Sequence, residues 1–262
     1  MKETRSLLNS LVVCGVALLM VSPLAAQTAN EIGAKVVRIK GDVRSKVGNN
    51  DWQQLRAGDV VKSGTAIQTA GNSHVDLVLG EGSAPVAHPT PSEGVNFVPN
   101  ADQNIVRLWE NTLLSIDKLT CTQTGADGVT ETQLNLKAGH IFGMVKKMSA
   151  GSRYEVTIPI GVVGIRGTVY DISADGVIKV RSGSAVLAYV GPGGTQKTQI
   201  IMALQQFDAR TETLSELPYV DKVGMDLLVR QLPGFSMIPT LIVPDKTIIR
   251  YVSPVTPVMR TF

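Results

Sequence analysis

Short apolar runs with a period of two dominate the chain between residues 34 and 190. In the clearest run, Val75, Leu77 and Leu79 alternate with other side chains, so one face of an extended segment is apolar. Alternation of this kind is typical of a half-buried β-strand. Comparable strand-forming runs are found at 36–40, 43–47, 105–109, 113–116, 133–137, 141–146, 154–158, 162–165, 169–173, 177–181 and 185–190. Glycine-containing turns separate most of them, and this spacing favours a sandwich, a barrel or a solenoid.

Residues 80–103 interrupt the pattern. The segment contains Pro85, Pro89, Pro91 and Pro99 and has no sustained apolar period. Because proline cannot donate a hydrogen bond to a neighbouring strand, we interpret the segment as a long surface loop inserted between two strands. We expect it to be expendable for folding or to face a partner.

The pattern changes again in the C-terminal extension, residues 199–262. Apolar residues recur at helical spacing over residues 220–232, with Asp221 near the start and Arg230 near the end, as the helix dipole favours. Pro233 and Gly234 end the segment, which we predict to be an amphipathic helix. The Pro-containing tail that follows is rich in β-branched residues, and we expect it to be extended and docked.

Residues 1–26 have the features of an export signal. Basic residues at positions 2 and 5 precede a short apolar run, and Leu24, Ala25 and Ala26 offer a cleavage site before Gln27. An uncleaved membrane anchor is the alternative, although the run is short for a membrane span. The mature protein is therefore expected to be periplasmic or otherwise extracytoplasmic, touching a membrane only through an uncleaved signal.

Charge and cysteine content exclude some classes of function. The chain has 25 Lys and Arg against 22 Asp and Glu, which gives no electrostatic footprint for nucleic acid. After cleavage only Cys121 remains, so an internal disulfide is excluded, while pairing with another chain or a merely tolerated small side chain are both open. The sequence leaves the oligomeric state undetermined.

No recognisable motif for catalysis, metals or cofactors emerges. His74, His88 and His140 are not at ligand spacing, and no Gly-x-Ser-x-Gly elbow is present. The glycine-rich segment at 161–168 is followed by a strand pattern rather than a helix, which argues against a phosphate-binding loop. Convergence of acidic residues remains open for Glu81, Glu110, Glu155 and Asp171. We expect no enzyme activity, no metal site and no cofactor.

The order of several motifs resembles the FecR domain, an extracytoplasmic module. The resemblance spans residues 34–190, with 80–103 as an insertion, and its most specific part is the Tyr154–Pro159 segment followed by Gly164–Tyr170. The motif residues, which we expect to be structural, are Gly58, Asp59, Gly64, Thr69, Gly139, Pro159, Arg166, Gly167 and Thr168. Arg166 is expected to bond neighbouring carbonyls or to pair with Asp171 or Glu155, and a ligand-binding role is the less favoured alternative.

The resemblance implies a mainly β fold, a short β-solenoid or a twisted sandwich, with the predicted C-terminal helix capping it. Family members that act as regulators carry a cytoplasmic segment that holds a sigma factor. Only about ten residues precede the apolar run here, too few to fold as such a segment, so we expect the module without the direct anti-sigma role.

Three functions therefore compete. The first is a non-enzymatic protein-interaction or scaffold module of the bacterial cell envelope, with an unidentified envelope protein as partner. The second is a cell-wall or polysaccharide-binding protein, which would need exposed aromatic side chains to stack on sugars. An envelope hydrolase is the third, and the missing motifs disfavour it.

Overall fold

The computed structural model describes residues 29–80, 96–101, 103–124, 127–191, 193–232 and 235–240. These residues form nineteen strands and one helix. In chain order they are β1 (Asn30–Glu31), β2 (Ala34–Lys40), β3 (Val43–Val47), β4 (Gln53–Gln54), β5 (Val60–Val61), β6 (Thr65–Thr69), β7 (His74–Leu79), β8 (Asn96–Ala101), β9 (Asn104–Leu108), β10 (Leu113–Thr124), β11 (Asp127–Ala138), β12 (His140–Met144), β13 (Arg153–Ile158), β14 (Gly161–Ser173), β15 (Val177–Val190), β16 (Gln196–Met202), β17 (Gln205–Asp208), β18 (Thr213–Glu216), α1 (Tyr219–Gln231) and β19 (Phe235–Thr240).

Seventeen strands form one curled sheet that folds back on itself as two layers. In layer A the neighbours run β4, β3, β6, β10, β11, β13, the first half of β14, the second half of β15, and β16. In layer B they run β5, β2, β7, β9, β12, the second half of β14, the first half of β15, β17 and β18. The long strands β14 and β15 therefore belong to both layers and join them.

The two long strands bend where they pass between the layers. Their register breaks between Arg166 and Val169. Gly167 and Gly183 both have positive φ there, 63° and 82°. A Cβ on Gly183 would lie 2.3 Å from the carbonyl oxygen of Gly167, so the backbones meet too closely for a side chain. These glycines allow one pair of strands to turn the corner of the sandwich.

The main core lies between the layers. Its inward residues come from both, for example Ile67 and Leu134 from layer A and Leu77 and Ile172 from layer B, and all are essentially buried. Their apolar alternation along each strand is the period that the sequence displays. The packing of the two inner faces is that of a β-sandwich.

Helix α1 covers the other face of layer B. Met225 and Val229 pack there against Phe142 and Met144 in a second apolar cluster. Burial of each such side chain is worth roughly 2 kcal/mol. Two ion pairs also hold the helix in place, Lys179 Nζ to Asp221 Oδ1 at 2.9 Å and Arg181 Nε to Asp226 Oδ1 at 2.7 Å. Layer B is thus buried on both faces, whereas the outer face of layer A is uncovered by α1.

The mainly β fold with one C-terminal helix is confirmed, and the helix begins one residue earlier than predicted. The pairing matches a twisted sandwich rather than a solenoid, because β11 and β13 are the only parallel neighbours among the described strands. The predicted boundary at residue 190 is wrong as a structural division, since β16 and β17 pair directly with β15. Within the described residues, no helix is long and apolar enough to span a membrane.

The predicted insertion at 80–103 is wrong in its last third. Residues 96–101 form β8, which pairs antiparallel with β19 from the C-terminal tail. Pro99 lies opposite Met237 in this two-stranded sheet, where each strand has a free edge and tolerates proline. The predicted signal at 1–26, the segment 81–95 and the tail beyond residue 240 lie outside the described residues, so those predictions stand untested.

Candidate functional site

The outer face of layer A carries a patch of exposed apolar side chains at one end of the sheet. We call it the outer patch. It comprises Val162 (36% exposed), Val186 (42%), Val190 (58%), Ile200 (55%) and Met202 (53%). Three adjacent strands, β14, β15 and β16, supply these residues, so the patch covers roughly 10 Å across the strands and 20 Å along them.

Strand register explains why these side chains share a face. Val186 lies opposite Gly164 on one side and Ile200 on the other. Because side chains alternate along a strand, the intervening residues point inward, and Leu187 and Ile201 are fully buried in the main core. Gly164 has no side chain, which leaves Val186 uncovered at the centre of the patch.

Strand β16 is an edge strand. Among the described strands it pairs with β15 alone, over the seven residues from Gln196 to Met202 and without a register break. Two backbone groups bond to side-chain amides instead of to a strand: Met202 N–H donates to Gln205 Oε1 at 2.9 Å, and Gln199 Nε2 donates to the Ile200 carbonyl at 2.7 Å. The backbone N–H and C=O groups of alternate residues point to the same side of a strand. Those of the even-numbered residues of β16 therefore point away from β15, toward the open edge.

Most charges around the outer patch are paired within the chain. Lys197 Nζ lies 2.7 Å from Glu212 Oε2, and Arg153 Nε lies 2.7 Å from Glu155 Oε1. Arg166 differs, because it is exposed and its side chain has no hydrogen bond or ion pair among the described residues. The expected pairing of Arg166 with Glu155 or Asp171 is therefore wrong.

Arg166 instead borders the outer patch. It lies in register with Ser184 on β15, which in turn lies opposite Met202. The sheet thus places an unpaired guanidinium at one end of an uncharged apolar strip. A guanidinium offers five donors to a carboxylate or to carbonyl groups of a bound chain.

The motif residues around β2, β6 and β10 hold turns. Asp59 Oδ2 accepts the Arg56 N–H at 2.8 Å, while Gly58, with φ of 98°, donates its N–H to the Val36 carbonyl at 2.8 Å. Gly64, with φ of 81°, donates to the Ile116 carbonyl at 2.7 Å. The two glycine contacts tie turns to neighbouring strands, and the Asp59 contact closes its own turn.

A second group of motif residues surrounds Thr112. Thr69 Oγ1 accepts the Thr112 N–H at 2.9 Å, and a Cβ on Gly139 would lie 2.6 Å from Thr112 Cα. Pro159 forms the two-residue turn between the paired residues Ile158 and Gly161. None of these residues reaches the outer patch, which is built by residues outside the motif.

A cluster of polar residues lies on the α1 side of layer B. Buried Asp76 accepts two hydrogen bonds from Arg107, at 2.6 and 2.8 Å. Trp109 stacks on His140 with ring centroids 5.6 Å apart. Burial, with a further contribution from Lys179, lowers the pKa of His140. Burial raises the pKa of Asp171 to about 7, against the opposing effect of Lys179.

The acidic residues singled out from the sequence are not all brought together here. Glu155 lies on the outer face of layer A and Asp171 on the far face of layer B, so these two candidate acids do not converge. Glu110 Oε2 accepts the Asn72 N–H at 2.6 Å, and Glu81 lies outside the described residues. The described residues contain no group of three potential metal ligands.

One shallow groove of about 430 Å³ opens beside β17 and β18. Its walls carry hydroxyl, amide and carboxylate groups beside apolar surface, and they include no aromatic ring. They consist of Val177, Gln206, Asp208, Thr211, Thr213 and Ser215. A sugar would find hydrogen-bond partners there but no ring on which to stack.

A comparison with known proteins found a family match over the part of the chain that forms the corner of the sandwich and part of the outer patch. Residues 87–186 match the family model described as FecR protein. This segment is similar to the FecR family, and we call it the FecR segment. Gly139, Pro159, Arg166, Gly167 and Thr168 lie within it, while the motif residues at 58, 59, 64 and 69 precede it. The FecR segment ends in β15, so β16 lies beyond it.

Two solved structures of a protein from Parabacteroides distasonis ATCC 8503, described as a putative anti-sigma factor, are similar to this chain. The first has 14% identity and a TM-score of 0.35 and covers 58% of this chain and 58% of its own. The second has 14% identity and a TM-score of 0.32 and covers 55% of this chain and 59% of its own. This chain thus spans less than two thirds of those proteins. No curated protein matches it.

Sequence reasoning missed the outer patch and Gly183. The signal for the patch was the run Ile200–Met202, in which three consecutive apolar residues on one strand must place side chains on both faces. Gly183 had no such signal, because its close approach to Gly167 depends on the pairing of β14 with β15.

Proposed function

We propose that this protein is a non-enzymatic, extracytoplasmic protein-interaction module of the cell envelope, and that it binds an extended segment of its partner along β16. The observation that carries the proposal is an edge strand flanked by an uncovered apolar patch. Strand addition supplies backbone hydrogen bonds for affinity, and side-chain pockets on alternate residues supply specificity.

The size of the outer patch supports strand addition over flat docking. A patch of roughly 10 by 20 Å is far smaller than the ~800 Å² per partner of a standard interface. Apolar contact alone would therefore bind weakly. A strand added at β16 gains hydrogen bonds from the even-numbered backbone groups as well as contact with Ile200 and Met202.

The hydrogen bonds already present at the edge of β16 can be exchanged for those of a partner strand. The Ile200 carbonyl and the Met202 N–H are each bonded to a glutamine amide, so the free protein leaves neither of these two groups unpaired. An incoming strand replaces those amides with backbone groups of similar hydrogen-bonding strength, and both amides then return to water. The edge is thus open to a partner without leaving buried polar groups unsatisfied.

A substitution on the patch tests this function. Ile200→Lys places a charge where the partner strand would pack, and Thr157→Lys places the same charge on β13, on the same outer face but outside the patch. We expect chemical crosslinking in intact envelopes to give a partner adduct with the wild type and with Thr157→Lys, and none with Ile200→Lys. Equal adducts from both variants would show that β16 is not the binding edge.

The same variants separate protein binding from polysaccharide binding. Sedimentation with purified peptidoglycan should leave the wild-type protein in the supernatant. Co-sedimentation that survives Ile200→Lys would favour the cell-wall alternative instead.

Export remains part of the proposal. The mature protein isolated from the native host is expected to begin at Gln27 and to fractionate with the periplasm, because residues 1–26 have the features of a cleaved signal. Mass spectrometry that finds residues 1–26 intact on a membrane-bound protein would replace cleavage with the anchor alternative.

A further inference from the structure

The edge of β16 is complementary to itself. We propose that its partner strand is β16 of a second copy of this chain, paired antiparallel about a two-fold axis at Gln199. This inference rests on the proposed function, because it names the partner for the same edge. The interface would be isologous, and closed two-fold symmetry is the commonest arrangement of soluble homo-oligomers.

Register supports the pairing. Gln199 is the central residue of the seven in β16, so a two-fold axis there overlaps the whole strand. Thr198 then lies opposite Ile200 of the second copy. The even-numbered residues, whose backbone groups face the open edge, form the hydrogen-bonded pairs, and Gln199 faces its own copy in a non-hydrogen-bonded pair. No backbone donor or acceptor of the edge is mismatched.

The edge of β16 has few of the features that keep edge strands from pairing with other chains. Natural edge strands commonly carry proline, a bulge or unpaired charge. β16 has neither proline nor a bulge, and its single charged residue, Lys197, is paired with Glu212 of the same chain. The two glutamine amides are the only cover on the edge-facing groups of Ile200 and Met202 that the structure describes, and they are exchangeable.

The lack of charge on the outward residues of β16 favours pairing with a second copy over pairing with a strongly charged strand. The outward residues of β16 include Thr198, Ile200 and Met202, none of which is charged, so two copies meet without repulsion. Arg166 lies two strands inward from β16. In the paired state the two Arg166 residues are five strand spacings (about 24 Å) apart across the sheet and six residues (about 20 Å) apart along it. The resulting separation of roughly 30 Å is screened at physiological ionic strength.

Pairing also doubles the apolar strip. Val186 and Ile200 lie in one row across β15 and β16. In the pair, the strips of the two copies meet at the central strands and become continuous across six strands. Burial remains below the ~1,200 Å² total typical of stable complexes, so we expect a concentration-dependent dimer rather than a permanent one.

A disulfide at the two-fold axis tests the register. Opposed residues of a non-hydrogen-bonded pair have Cα atoms about 4.5 Å apart, within the range of a disulfide. In a full-length chain with Cys14→Ser and Cys121→Ser, mild oxidation of Gln199→Cys should yield a covalent dimer. Thr157→Cys, on β13 away from the edge, is the control and should remain monomeric.

Sedimentation equilibrium measures the same association without crosslinking. The dimer dissociation constant should rise about tenfold or more in Thr198→Pro, which removes one edge-facing N–H without touching the β15 ladder. Absence of the Gln199→Cys dimer, together with a wild-type monomer at all concentrations, would overturn self-pairing. If an envelope adduct is still lost in Ile200→Lys, the proposed function survives that result; if the adduct persists in Ile200→Lys, both proposals fail.

Discussion

Thr168 and Ser184 hold the two long strands together at the corner of the sandwich. The Thr168 hydroxyl donates to the Ser184 carbonyl at 2.7 Å and accepts the Ser184 N–H at 3.3 Å. One side chain thus bonds to both backbone groups of Ser184, next to the register break between Arg166 and Val169. Thr168 is itself buried, so water is not available as a substitute.

Thr168→Val is therefore expected to lower the free energy of unfolding by about 1–3 kcal/mol, since it leaves both Ser184 groups without their partner while preserving volume. Thr168→Ser keeps the hydroxyl and loses only a methyl group, at a cost of about 0.8 kcal/mol. Urea unfolding of the two variants measures the difference. A valine variant at least as stable as the serine variant would contradict the role given to the hydroxyl.

The two glycines at the same corner differ in how much space is available for a side chain. Gly167 has φ of 63° and ordinary space around an added Cβ, the nearest atom being 3.5 Å away. Gly183 has φ of 82° and would place a Cβ 2.3 Å from the Gly167 carbonyl oxygen. We expect Gly167→Ala to cost about 1 kcal/mol, from backbone conformation alone, and Gly183→Ala to cost clearly more. Equal melting temperatures would show that the close approach relaxes freely.

The sequence predicted the strands well because burial on one face leaves a period of two. It failed to predict which polar positions are buried. Asp76 alternates with the core residues of β7 and reads as the solvent side, yet it is fully buried on the face of layer B that α1 and its cluster cover. Coverage by a helix more than 140 positions away depends on tertiary packing and leaves no local pattern.

For the candidate site too, features set by tertiary packing could not be predicted from local sequence patterns. Gly167 has a positive φ, the conformation for which glycine is suited, and its structural role needed only local reasoning. Arg166 was expected to bond neighbouring carbonyls or to pair with Asp171 or Glu155, but β14 places its side chain on the uncovered face of layer A while Asp171 lies on the opposite side of layer B. The register break between them changes the face, and a break of this kind is visible only once β14 and β15 are aligned.

The pair formed by Asp76 and Arg107 gives a third prediction. Both side chains are almost fully buried, and Arg38 is the nearest further cation, with Nε 3.8 Å from Asp76 Oδ2. Asp76→Leu leaves the Arg107 guanidinium buried without its counter-charge and should destabilise the protein by about 3–5 kcal/mol. Asp76→Leu combined with Arg107→Met removes both charges and should recover much of that loss, as a double-mutant cycle by denaturant unfolding would measure.

The comparison between these variants isolates the ion pair from packing. A double variant no more stable than Asp76→Leu would show that shape, not charge compensation, governs the site. Trp109 provides an internal signal for folding in both, since Arg107 lies 5.3 Å from the centre of its ring.

Asp171 makes the stability of the protein depend on pH in a defined window. Burial beneath α1 raises its pKa to about 7 from an ordinary value of 3.8, and the nearby Asp221 acts in the same direction. Between these two pH values the folded chain binds more protons at this carboxyl than the unfolded chain does. The stability associated with the protonated carboxyl is therefore complete below pH 3.8 and is lost as the pH rises through about 7.

Asp171→Asn removes this titration while keeping the size of the side chain. Its melting temperature relative to the wild type should increase between pH 4 and pH 7 and become constant above about pH 8, because the carboxyl is then ionised in both states. Asp117→Asn, at an exposed position on β10, is the control and should show no such rise. Parallel pH profiles for the two variants would mean that Asp171 is hydrated in the folded protein, and that α1 does not exclude water from the face it covers.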